Sequence, residues 1–128
     1  MIKNINLFKI VFHATNLILI VLYLYPGSIL GWVLYNDFSL QPQITKDYII
    51  SSNHFFAFFL LSVIGIFSHY KEKKISFLIK YLFIISIILE VLHAIIPERS
   101  FQFGDLFGNL LGVLVIVALY KFWFRYNN

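Results

Sequence analysis

The chain contains no cysteine. That excludes disulfides, thiolate nucleophiles and cysteine-ligated metal centres. Charge is nearly as scarce: Asp, Glu, Lys and Arg together make up 12% of 128 residues, where soluble domains carry about a quarter. With three prolines and six glycines, few positions can interrupt a helix. There is no internal repeat, no low-complexity tail and no ligand-spaced metal motif such as His-Glu-x-x-His.

In their place stands apolar sequence, 60% of the chain, with a mean hydropathy of +0.83. A water-soluble globule of this size keeps much of its surface exposed and could not hide so much Phe, Ile and Leu. The composition therefore points to a lipid bilayer as the principal partner. The net charge of +4 would suggest nucleic acid in a soluble protein. Here the basic residues flank apolar runs, as membrane topology requires, and no nucleic-acid partner is expected.

A spanning helix needs about 20 mostly apolar residues. Four runs qualify: Leu7–Tyr25, Ser51–Tyr70, Ile75–Ile96 and Leu106–Phe124. Pro26-Gly27 stops the first and Pro97 the third. The first run is too long for a signal-peptide core, and Tyr25-Pro26-Gly27 is not a small-x-small cleavage site. Ile29–Tyr35 is apolar but too short to span. It suits the interface, with Trp32 and Tyr35 at headgroup depth. The expected fold is all-α, a single polytopic domain over residues 1–128 built as a bundle of four transmembrane helices.

Lys and Arg near the helix ends set the orientation. Lys3, Lys9, Lys71, Lys73, Lys74, Lys121 and Arg125 fall on one side, and only Lys46 and Arg99 on the other. Lys80 can snorkel to the first group. The expected location is the cytoplasmic membrane, with both termini and the Tyr70–Ile75 turn in the cytoplasm. The Pro26–Ile50 loop and the Pro97–Gly104 turn then face outward.

Polar groups inside a bilayer cost several kcal/mol and need a reason. Here they gather towards the expected outer face: His54 opens the second run, Glu90 and His93 close the third, Arg99 follows Pro97, and Asp105 and Asn109 open the fourth. Glu90, His93 and Pro97 share one helix face, as do Asp105, Asn109 and Gly112. Gly108 and Gly112 form a Gly-x-x-x-Gly pair that permits close helix approach, expected to draw the third and fourth runs into a tight hairpin. These six polar residues are the candidate ligand site. The competing reading is a structural clamp, with Arg99 paired to Asp105 or Glu90 and Asn109 bonding across helices. His54, His93 and Glu90 have donor types suited to a metal, but no spacing motif supports one, and neither metal nor cofactor is expected. His13 and Asn16 read as a packed, hydrogen-bonded pair. His69 reads as solvated, and Phe55, Phe56, Phe58 and Phe59 as a lipid-facing or packing surface.

Order and spacing of these residues resemble the VanZ-like family of small membrane proteins. The family pattern is matched by Asn53-His54-Phe55-Phe56-Ala57-Phe58-Phe59, Glu90, Pro97-Glu98-Arg99-Ser100, Asp105, Asn109 and Gly112, over about Ser51–Val117. Two positions depart from it. Ile50 and Ser51 stand where the family often has Asp-Lys, and His93 replaces the Gln of a Glu-x-x-Gln motif. The family is named for an accessory protein of glycopeptide (teicoplanin) resistance. The resemblance implies an envelope-associated role without assigning a reaction.

The function expected from these features is a non-enzymatic envelope protein that binds an anionic lipid-linked headgroup at the outer leaflet. A phosphate would suit Arg99 and the start of the second spanning helix. One alternative is an intramembrane enzyme acting on such a lipid, with Glu90 or Asp105 as base and His54 or His93 as proton shuttle. No Ser is convincingly spaced as its nucleophile. Another is a structural partner subunit of a helix bundle. A second copy of the chain is a candidate partner.

Overall fold

Pro26-Gly27 follows the end of the first helix, and the left-handed Asn36 ends the short second one. The computed structural model describes residues 2–127, with side chains from Leu7 onward, and contains five helices and no strand among those residues. They are α1 (Ile2–Leu24), α2 (Ile29–Tyr35), α3 (Ser52–His69), α4 (Ile75–Leu92) and α5 (Phe103–Asn127). All but α2 are long and apolar enough to cross a membrane. The chain is a multi-pass membrane protein with the expected four-helix bundle.

The short α2 is the apolar stretch too brief to span. The Ser28 hydroxyl caps it by accepting from the Gly31 N–H at 2.9 Å, and Asn36 ends it in the left-handed region (φ 55°). Trp32 and Tyr35 stay exposed. α4 stops at Leu92, four residues short of the expected Ile96. The N–H groups of His93, Ala94 and Ile95 turn to the carbonyls three residues back, a tightening that commonly closes a helix. Pro97 also disfavours helical backbone at Ile96.

α3 is the hub, packed on α1, α4 and α5. Its contact with α5 is the closest in the bundle because Gly108 and Gly112 face it. A Cβ at Gly112 would sit 2.5 Å from the Phe55 carbonyl and 2.8 Å from the Phe59 nitrogen, and one at Gly108 2.8 Å from the Ser51 carbonyl. The glycine pair was expected to join the third and fourth spans. It joins the second and fourth instead, because it shares the face of α5 that meets α3.

Phe58, Leu61, Leu82, Leu89 and Val113 form the fully buried core. Ile10, Leu17, Ile84, Leu114 and Phe122 lie exposed on the perimeter. Helices apolar inside and out suit lipid. The Phe cluster divides the same way, Phe58 inward and Phe56 outward. At the end of the bundle holding the α3–α4 turn, Lys9 pairs with Glu72. The Lys9 hydrogen bond is the main reason the Glu72 carboxyl titrates below its ordinary range.

The opposite end is covered by the loop after α2. Its Phe38 carbonyl accepts from the Ser28 N–H at 2.8 Å. Asp47 caps α3 by accepting from the Ser52 N–H at 2.9 Å. The Asn53 side chain holds Pro42 and Ile44, and the Ser51 N–H reaches the Gly104 carbonyl at 3.1 Å. A cleft of about 1020 Å³ remains under this loop.

Candidate functional site at the loop-covered end

Asn109 is the centre of the site and is fully buried. Its amide nitrogen donates to the Ser86 carbonyl at 3.0 Å, which fixes Oδ1 as an acceptor. Tyr23 donates its hydroxyl proton to that oxygen at 2.7 Å, and His54 Nδ1 lies 3.0 Å from it. The Tyr23 oxygen, its proton spent on Asn109, lies 3.1 Å from the same Nδ1. With acceptors on both sides, Nδ1 must carry a proton. His54 Nε2 then presents a lone pair, and Asp105 Oδ2 lies 3.5 Å from it.

The same accounting holds one layer away. His93 Nε2 lies 2.9 Å from the Tyr23 carbonyl, which can only accept, so Nε2 carries the proton. His93 Nδ1 is left facing Glu90 Oε2 at 3.2 Å. Both side chains are buried, Glu90 completely. Glu90 Oε1 accepts from the Gln102 N–H at 3.0 Å, whereas Oε2 has no hydrogen-bond donor and lies 3.6 Å from His54 Nδ1. The short Glu90–His93 distance is thus an approach of two acceptors unless a proton or another cation lies between them.

Five of the six candidates therefore converge: His54 from α3, Glu90 from α4, His93 just past its end, and Asp105 and Asn109 from α5. Arg99 does not join them. Its Nη2 donates to the carbonyls of Leu22 at 2.9 Å and Gly27 at 2.8 Å, and its Nε to that of Tyr25 at 3.2 Å. These are carbonyls at and just beyond the C-terminus of α1, the negative end of a helix dipole. The ion pair of the competing clamp reading, between Arg99 and Glu90 or Asp105, is absent among the described residues, because the α1 terminus takes the guanidinium. Burial lowers the Arg99 pKa, and the nearby Glu90 and Asp105 oppose that shift. Its Nη1 makes no hydrogen bond within the described residues, and Arg99 lines the cleft together with His54, His93, Gln102 and Asp105.

Three participants were missing from the sequence reading: Tyr23, Ser86 and Gln102. Tyr23 carried a signal, a hydroxyl-bearing aromatic close to the end of the first run, which Pro26-Gly27 stops. Ser86 lies one turn before Glu90 on the same face. Gln102 acts through its backbone N–H, which no side-chain pattern reveals. His13 and Asn16 are not a bonded pair: His13 is exposed, and Asn16 donates to the Tyr81 hydroxyl at 2.6 Å. His69 is not simply solvated, since its Nδ1 lies 2.7 Å from the Ser68 hydroxyl and 3.0 Å from the Gly65 carbonyl.

The arrangement offers a mixed imidazole–carboxylate donor set on the floor of a cleft with a cationic edge. It can bind polar groups and exchange protons. Compared with known proteins, the chain matches no family model, no curated protein and no solved structure.

Proposed function

We propose that this cleft binds the headgroup of an anionic membrane lipid at the outer face of the cytoplasmic membrane, and that the chain is a non-enzymatic, VanZ-like envelope protein. The observation that carries the reading is the mixed lining of the cleft, which combines Leu19, Leu22, Phe56 and Leu60 with His54, His93, Arg99, Gln102 and Asp105. Phe56 and Leu60 are exposed on the lipid-facing perimeter. Acyl chains would lie along the apolar residues and a headgroup against the polar ones. Arg99 Nη1 would take the phosphate, and Asp105 the hydroxyl or amino groups beyond it.

The family reading draws support from the meeting of His54, Glu90, Asp105 and Asn109, pattern residues from three helices, in one network. The outward orientation draws support from the basic residues. Lys9, Lys71, Lys73, Lys74, Lys121 and Arg125 all belong to the end of the bundle away from the cleft, where positive-inside topology puts the cytoplasm.

The test is thermal unfolding of the protein in a neutral detergent with added short-chain lipids. Phosphatidylglycerol should raise the midpoint in a saturable way and phosphatidylcholine should not. The shift should vanish in His54→Ala. Equal shifts with both lipids, or none with either, would overturn the reading. A second reading, proton-transfer chemistry on a lipid-linked substrate, is favoured by the facing acceptors His93–Glu90 and His54–Asp105. Its test is turnover of such a lipid by the purified protein.

A further inference from the structure

We propose that His54, Glu90 and Asp105 form a binding site for a divalent transition-metal ion, with Asn109 and Tyr23 holding the imidazole ligand in register. One donor atom of each of the three residues lies within 4.8 Å of the donors of the other two. Ligand atoms around one tetrahedral ion stand about 3.3–3.6 Å apart, given bonds of about 2.0–2.2 Å. Closure on a tetrahedral ion therefore draws these donors together by up to about 1 Å, with the Glu90 carboxylate turning from the Nδ1 side of His54, where Oε2 lies at 3.6 Å, towards Nε2.

Hydrogen-bond accounting gives an independent reason. Asn109 Oδ1 fixes the proton of His54 on Nδ1, so the Nε2 lone pair is directed to the Asp105 side. That is how a buried amide or carboxylate usually orients a metal-binding histidine. Glu90 Oε2 is fully buried, has no donor, and lies beside His54 and His93. A buried carboxylate oxygen with no donor is costly, and an ion that it reaches together with His54 Nε2 supplies the missing partner. His93 Nδ1, the lone-pair nitrogen 3.2 Å from Glu90 Oε2, is available as a fourth donor.

The donor set selects the ion. One or two imidazoles with two carboxylates and no thiolate suit Zn²⁺ or Mn²⁺ over Cu⁺. Asp105 and His54 keep side-chain exposures of 19% and 15%, so an ion can enter from the cleft. The site does not depend on the lipid reading, because it requires no headgroup.

The experiment is zinc titration of the untagged, metal-stripped protein in detergent, without added lipid, by calorimetry, with elemental analysis of the stoichiometry. One equivalent of Zn²⁺ should bind saturably and raise the unfolding midpoint. Asp105→Asn, nearly isosteric and at the cleft rim, should fold and lose affinity on the order of 100-fold. Asn109→Ala, acting through His54, should lose about 10–100-fold. His13→Asn, at an exposed histidine elsewhere in α1, should bind as the unaltered protein does. No saturable binding overturns the proposal, as does full affinity in Asp105→Asn. His54→Gln is the second variant should Asp105→Asn misfold, with the same two outcomes.

Discussion

Replacing Arg99 with alanine should destabilise the protein by uncapping α1, not by orphaning a carboxylate. The two Nη2 bonds, to Leu22 and Gly27, are partly buried. Hydrogen bonds to a charged group are worth roughly 1.5 kcal/mol or more each when shielded. The Nε bond to Tyr25 is exposed and adds little. The expected loss for Arg99→Ala is therefore about 3 kcal/mol. Arg99→Lys, a point charge that cannot span both carbonyls, should lose about half of that. Asp105 forms no ion pair with Arg99 among the described residues, so Arg99→Ala combined with Asp105→Ala should give the sum of the two single effects within about 0.5 kcal/mol. The assay is unfolding free energy from denaturant titration in mixed micelles for the three single variants and the double. A buried ion pair would behave otherwise, since removing its second member relieves the orphaned charge. Recovery of stability in the double variant would refute the capping account.

Further consequences follow from the packing and the charge pattern. Gly112→Val should cost at least about 2 kcal/mol, because the added atoms meet the α3 backbone at Phe55 and Phe59, which cannot rotate away; a melting curve like that of the unaltered protein would contradict it. Glu90→Gln should leave stability unchanged or raise it, since an amide in place of Oε2 can donate to His93 Nδ1, while zinc affinity falls; a large loss of stability would mean that the negative charge itself holds the site together. The Lys9–Glu72 pair should contribute under about 1 kcal/mol. Because the folded Glu72 pKa is depressed, that contribution is complete above the ordinary glutamate range and lost as pH falls through the lower folded value. Lys9→Ala should flatten the stability–pH profile in that acid window and nowhere else.

The four spans and the polar cluster were legible because a bilayer leaves little choice. Apolar runs of this length must be helices, and polar residues at one depth on three of them must face one another or an aqueous cleft. Which helix meets which was not legible. Gly108 and Gly112 announce a close contact but not its partner, and α3 rather than α4 fills the groove. Arg99 was misread for a related reason. Sequence shows the nearby carboxylates, but the carbonyls at the end of α1 compete for the guanidinium and carry no signature beyond Pro26-Gly27. Tyr23 looked like one more aromatic in an apolar run until its hydroxyl was found on Asn109.

The account turns on the cleft opening to the outside of the cell, and the absence of cysteine makes that directly measurable. Gln102→Cys places a thiol on the cleft wall, and Lys73→Cys places one in the α3–α4 turn at the other end. Each variant would be treated in intact cells with a membrane-impermeant maleimide, before and after permeabilisation. The account predicts labelling of Gln102→Cys in intact cells and of Lys73→Cys only once the membrane is opened. The reverse pattern would turn the cleft towards the cytoplasm and contradict an outer-leaflet binding site.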